Sequence, residues 1–161
     1  MSTTPSHDCS GATRRELLLT GAAGIGAMLI RIEPAAATPE TMQRAIRQVV
    51  GEAPVRKGKV TLDVPALVEN GNSVGLTIEV ASPMTAKDYV KAIHVFNEKN
   101  PLPNVVTAHL GPRAGRAKMT TRFRLADTQS ITAIAEMSDG TFWSASADVI
   151  VTLQACLENL D

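Results

Sequence analysis

Few side chains in this sequence could do covalent or acid–base chemistry, and one stands apart. Cys156 lies just beyond the last apolar run, residues 149–153, while the second cysteine, Cys9, sits near the start of the chain. A thiolate is a nucleophile, a metal ligand and a reversible attachment point for sulfur. His94 and His109 have no second metal-type ligand at a recognisable spacing, and C-x-x-C, H-E-x-x-H, G-x-G-x-x-G and phosphate-loop motifs are absent. Both histidines read as strand or surface residues, and neither a metal nor a cofactor is expected. A cysteine hydrolase needs a base within hydrogen-bond reach of its thiol, and a thiol on a short tail is poorly placed for that. The expectation is a protein that is not itself an enzyme. Arg113, Arg116 and Lys118 mark a basic, hairpin-like loop, continued by Arg122 and Arg124 at alternating positions. It reads chiefly as a solvated face, with an anion or an acidic partner surface as the alternative. Met84 and Trp143 read as packing or interface residues.

The compartment decides what Cys156 can be. Residues 1–37 have the form of a removable export signal: a polar start, paired Arg14-Arg15, an apolar stretch over 17–30 broken by glycines, and Ala35-Ala36-Ala37 before Thr38. The apolar stretch is too short to span a bilayer, which takes ~20 residues, and the paired arginines resemble the twin-arginine export signal. The expected setting is the bacterial periplasm, with no membrane attachment after cleavage. Cys9 leaves with the signal, so Cys156 is the one thiol of the mature chain. A lone thiol in an oxidising compartment is buried, pairs with another chain, or serves as a covalent attachment point. Its place near the chain end fits burial least well.

Composition narrows the partners. The chain has 161 residues with 16 basic and 16 acidic groups, 44% apolar residues and 20% charged. Three groups of each sign fall in residues 1–37, so the mature chain stays neutral. Such a balance excludes a basic nucleic-acid binder and an acidic disordered chain. Aromatics make up only 3%, so aliphatic side chains must build the core.

The elements that would position Cys156 are one helix and then strands. Thr38-Pro39-Glu40 suits a helix start, Met42, Ala45, Ile46, Val49 and Val50 recur at helical spacing, and Gly51 closes the stretch. From Lys59 the period becomes two: Val60, Leu62, Val64, then Val74, Leu76, Ile78, Val80, with Glu69-Asn70-Gly71-Asn72 as a turn between them. Further runs cover 90–96, 105–110, 119–125, 131–137 and 149–153, and Ser138-Asp139-Gly140 is a tight turn. Seven or eight short strands at this spacing predict a mainly β fold, an antiparallel β-sandwich behind an N-terminal α-helix. The organisation expected is a signal over 1–37, a sandwich domain with its leading helix over 38–153, and an arm bearing the thiol over 154–161.

Several stretches together resemble the SoxY family. They are Glu69-Asn70-Gly71-Asn72-Ser73-Val74, Ser82-Pro83-Met84-Thr85, His94-Val95-Phe96-Asn97-Glu98-Lys99-Asn100-Pro101 and Ala135 to Trp143, with a cysteine after the last strand. The resemblance implies an immunoglobulin-like antiparallel β-sandwich with an N-terminal α-helix, and a periplasmic sulfur carrier in thiosulfate oxidation with Cys156 as the site of covalent sulfur attachment. It also implies pairing with a SoxZ-like subunit. A c-type cytochrome conjugating enzyme would load the thiol, and a sulfate-releasing hydrolase would act on the product.

The arm departs from the family. SoxY chains usually end in Gly-Gly-Cys-Gly-Gly, whereas this one reads Gln154-Ala155-Cys156-Leu157-Glu158-Asn159-Leu160-Asp161. Glycine offers the widest choice of backbone angles and the slimmest profile; Ala155 and Leu157 narrow both. Glu158 and Asp161 disfavour the thiolate form of a neighbouring cysteine by like-charge repulsion. Two functions follow as expectations. One is a sulfur carrier. The other is a carrier-derived binding or assembly subunit that pairs with a SoxZ-like protein without transferring sulfur, its Leu157 and Leu160 docking the tail.

Overall fold

A computed structural model describes residues 38–153. The expected signal, residues 1–37, and the arm, residues 154–161 with Cys156, lie outside the described residues.

The chain begins as the sequence predicts. Helix α1, Pro39–Val50, starts at Thr38, whose side chain accepts from the Thr41 backbone N–H, while the Thr41 hydroxyl oxygen accepts from Thr38 N–H. This reciprocal cap occupies donors that a helix start leaves open. Gly51 ends the helix at φ 60°, ψ −131°, a conformation closed to residues with a Cβ, and donates to the Arg47 carbonyl at 2.8 Å. Met42, Ile46 and Val50 share the buried face.

Nine strands follow among the described residues: β1 Val55–Lys57, β2 Val60–Asp63, β3 Leu67–Asn70, β4 Val74–Val80, β5 Val90–Asn97, β6 Asn104–His109, β7 Lys118–Phe123, β8 Gln129–Met137 and β9 Phe142–Leu153. One sheet runs β1-β9-β8-β5-β6 with β3 also on β9; the other is β2-β4-β7. The immunoglobulin-like sandwich is present, with two additions. β1 and β3 both pair with β9 in parallel. Three and four residues long, they are too short to show an alternation in the sequence. Glu69 and Asn70, read as part of a turn, end β3, and the turn itself is Gly71-Asn72, held by Asn72 N–H donating to Asn70 Oδ1 at 2.9 Å. The last strand spans twelve residues instead of five.

The core lies between the sheets. Leu76 and Ile78 from β4 meet Ile93 and Val95 from β5 and Ile131 from β8, each essentially without solvent contact. Each such aliphatic side chain contributes about 1.5–3 kcal/mol on burial, which is how a chain so poor in aromatics holds together. β4 alternates between buried and exposed positions, but β5 is buried on both faces over most of its length. The reason is α1, which lies on the outer face of the larger sheet, where Met42, Ile46 and Val50 cluster with Phe96, Ile134 and Phe142.

Candidate functional site

The attachment residue proposed from the sequence, Cys156, lies three positions past the end of β9, outside the described residues. The structure describes the end of β9, up to Leu153. Gly71 N–H donates to the Leu153 carbonyl at 2.8 Å, and Leu125 N–H donates to the Gly71 carbonyl at 2.9 Å. The Thr152 hydroxyl donates to the Glu69 carbonyl at 3.1 Å, and Val151 N–H donates to Thr128 Oγ1 at 3.0 Å. The last residues of β9 are thus held from two sides, by β3 and by the segment after β7. From this anchor an extended chain places residue 156 within roughly 10 Å of Leu153 at ~3.3–3.6 Å per residue.

The same end of the sandwich is pinned by a polar network that sequence reasoning missed. Asn100 Nδ2 donates to the Arg124 carbonyl at 2.7 Å, and Asn100 Oδ1 accepts from Ala126 N–H at 3.0 Å and from Gln129 Nε2 at 2.9 Å. Gln129 Oε1 accepts from Lys99 N–H at 2.8 Å, and Lys99 forms an ion pair with Asp127 at 2.9 Å. One side chain therefore ties the β5–β6 loop to the β7–β8 loop. The signal that could have found it is the Asn100-Pro101 dipeptide, a turn former whose amide has bonding capacity to spare. Asn100→Ala leaves the buried Gln129 amide and the Ala126 N–H without this acceptor. The expected loss of stability is about 2–3 kcal/mol, read by urea unfolding; an unchanged midpoint would contradict the network's role.

The two histidines come together on the outer face of the larger sheet, their ring centroids 6.5 Å apart. His94 Nδ1 lies 3.0 Å from Thr107 Oγ1, and its Nε2 is buried without a partner among the described residues. Glu136 on the neighbouring strand is held by Lys91. Among the described residues no group of three or more His, Cys, Asp or Glu side chains could hold a metal ion. Burial pushes the His94 imidazole below its ordinary value; Glu136 opposes this and His109 adds to it. In the unfolded chain the group binds its proton near pH 6.5. Below that pH the unfolded state holds more protons than the folded one, so stability falls as pH drops through 6.5 toward the lowered folded value. His94→Gln is expected to shrink the loss of thermal stability between about pH 7.5 and pH 5.5; a variant with the same pH dependence would rule out His94 as the source.

The remaining candidates find structural places. The basic segment is not a hairpin: β6 and β7 belong to different sheets, and residues 111–117 cross between them through a short 3-10 turn at Pro112–Ala114. Arg122 and Arg124 are exposed on β7 and just after it. Met84, at φ 49°, sits in the main core, where its sulfur accepts from Val90 N–H at 3.4 Å. Trp143 is half-buried with Lys59 Nζ 5.1 Å above its ring, a cation–π contact. Gly58 at φ 135° passes so close that a Cβ there would lie 3.3 Å from the indole. A surface depression of about 560 Å³ lies on the outer face of β2-β4-β7 against Asp63, Gly75, Thr77, Thr120 and Arg122. It presents no nucleophile or titratable pair suited to catalysis.

Two sheets with a helix packed on the larger one define an immunoglobulin-like β-sandwich domain. The sequence profile of the family described as "Sulfur oxidation protein SoxY" matches residues 46–156, and the chain belongs to that family. Among solved structures, the sulfur carrier protein SoxY from Chlorobium limicola f thiosulfatophilum is similar, with a TM-score of 0.60 and 23% identity over 71% of this chain and 98% of that one. The superoxide reductase (neelaredoxin) from Ignicoccus hospitalis shares the fold at a TM-score of 0.52 and 16% identity, covering 71% of this chain and 94% of that one. At such identities these likenesses speak for the fold. No curated protein matches the sequence significantly.

Proposed function

We propose that this chain is a periplasmic sulfur carrier that holds thiosulfate-derived intermediates covalently on Cys156. The observation that carries the reading is the family match, which runs from α1 through both sheets to Cys156 itself. The anchored end of β9 supports it, because a thiol a few residues beyond a fixed strand can be offered to several enzymes in turn.

The chemistry asks little of the carrier. The Cys156 thiol loses its proton, and its sulfur bonds to the outer sulfur of thiosulfate, giving a cysteine S-thiosulfonate. Two electrons leave in that step and pass to the c-type cytochrome of a conjugating enzyme. A hydrolase then adds water across the terminal sulfur–sulfonate bond. Sulfate and two protons depart, and a persulfide anion stays on the cysteine. Both steps belong to partner enzymes; the carrier supplies the attachment sulfur and its reach. A SoxZ-like subunit completes the carrier as a heterodimer, and the paired Arg14-Arg15 signal exports it.

A second reading rests on the arm, where Ala155 and Leu157 stand in place of glycines. On that reading the chain pairs with its partner subunit without moving sulfur. Radiolabelled thiosulfate, a conjugating cytochrome and its electron acceptor, added to the purified heterodimer, distinguish the two. Reductant-labile label on the wild-type chain and none after thiol alkylation supports the carrier. No label, with a glycine-armed carrier labelled in parallel, supports the binding subunit.

A further inference from the structure

The edge of β9 that faces away from β8 is paired at both ends and open in the middle. β1 pairs with Phe142, Trp143 and Ser144, β3 pairs from Ile150 onward, and no strand among the described residues pairs with 145–149 on that side. The gap arises because the chain leaves the larger sheet after Lys57. Gly58, at φ 135°, turns it into β2, which pairs with β4 of the smaller sheet. The chain rejoins β9 only at Ala66, whose carbonyl accepts from Ile150 N–H at 2.9 Å. Backbone amides two and four residues earlier on an extended strand face the same edge. Those of Asp148 and Ser146 therefore point into the gap, as donors that the ladder does not use.

A cleft of about 290 Å³ opens where this gap begins, lined by Lys57, Gly58, Val60, Ser144, Ala145 and Ser146. Lys57 is paired in register with Ser144, so their side chains share a face of the sheet. Ser146, two residues on, shares that face too. The Ser146 hydroxyl lies 2.9 Å from that of Thr132. When Thr132 donates in this pair, the Ser146 O–H is left to donate into the cleft. An ammonium, two hydroxyls and a backbone amide thus meet in one place, and all of them can donate. The charge agrees, since Arg56, Lys57 and Lys59 fall within four residues. Arg56 and Lys59 lie over the Trp143 ring. Lys57 has no ion-pair partner among the described residues. Asp148 is further along the strand and does not line the cleft.

We propose that this cleft binds a small tetrahedral oxyanion of the sulfate or phosphate class. Lys57 supplies the charge, while the Ser144 and Ser146 hydroxyls and the Ser146 N–H supply directed hydrogen bonds, which an anionic acceptor strengthens. Four donors around one point suit an anion with three or four oxygens better than a carboxylate with two. An extended peptide does not suit it, because β1 and β3 close the gap at both ends and β2 runs alongside β9. The site does not rest on the carrier reading. Ser146 stands about 23 Å along β9 from Leu153, at ~3.3 Å per residue, far from the end where the chain leaves the sandwich.

Trp143 provides the readout, because it is the chain's one tryptophan and borders the cleft. It directly precedes Ser144, and a Cβ on Gly58 would lie 3.3 Å from its ring. Its fluorescence in the purified chain is followed during titration with sodium sulfate and, separately, sodium phosphate, against sodium chloride at matched ionic strength. The expected result is a saturable change at roughly millimolar oxyanion, the tighter of the two salts identifying the preferred ion, with no saturation in chloride. The Ser146 amide resonance is expected to move with the same midpoint. Lys57→Gln, at an exposed position, is expected to weaken binding about tenfold, and Lys57→Arg to retain it. Arg122→Gln, which removes a charge from the other sheet, is expected to leave the midpoint unchanged. No saturable change with either oxyanion overturns the proposal, as does a response that chloride reproduces. An unaltered midpoint in Lys57→Gln overturns it as well. So does acetate or an acidic peptide binding as tightly as either oxyanion, which assigns the cleft to carboxylates. Thiosulfate loading of Cys156 is read separately by mass, so this site and the carrier reading fail independently.

Discussion

Phe96→Ala is expected to lower the unfolding free energy by about 3–5 kcal/mol, the cost of removing a fully buried aromatic ring from a packed site. Phe96 is wholly buried on the outer face of β5, in the cluster that joins Ile134 and Phe142 of the larger sheet to Met42, Ile46 and Val50 of α1. The ring therefore connects the helix to the sandwich, and truncating it leaves a cavity on both. The change has a direction in space as well as a size. Amide exchange is expected to rise first in α1, whose apolar face loses one of its two aromatic partners, and only later in β4, which packs in the separate inner core. Urea unfolding measures the loss and exchange locates it. A loss below about 1 kcal/mol, the ordinary effect of a single substitution, would show that α1 is not held by this cluster.

Cys156→Ser is expected to abolish covalent sulfur loading entirely. A hydroxyl cannot form the sulfur–sulfur bond that carries the proposed intermediate, and the chain's other thiol, Cys9, falls in the segment proposed to be an export signal. The described fold contains no contact that depends on the thiol. Its stability is expected to change by no more than about 0.5 kcal/mol. Loss of thiosulfate-dependent turnover with an unchanged unfolding curve therefore separates chemistry from folding. Cys9→Ser, by contrast, is expected to leave turnover as it was. Turnover that survives Cys156→Ser would place the attachment elsewhere.

Much of the fold is legible in the residues because each element follows a simple period. The helix is marked at both ends, by Thr38-Pro39 and by Gly51, and its apolar spacing selects one face. β4 alternates cleanly because only one of its faces is covered. What escaped notice is structure without a period. β1 and β3 are too short to alternate, and their parallel pairing with β9 depends on residues far away in sequence. The helix packing on the sheet was equally hidden, although the nearly unbroken burial of β5 has a trace in Ala92-Ile93-His94-Val95-Phe96. For the site, Cys156 stands out in the residues by its place after the last apolar run, and it lies outside the described residues. Asn100 does not stand out, because a side chain that bridges two loops shows only when both loops are in place.

The most direct test of the carrier reading is the intact mass of the exported chain, purified with its partner subunit from cells supplied with thiosulfate, beside a Cys156→Ser control. The account predicts added mass corresponding to sulfur or thiosulfonate groups, removed by reductant and absent from the control. An unmodified Cys156, in cells whose glycine-armed carrier is loaded under the same conditions, would contradict it.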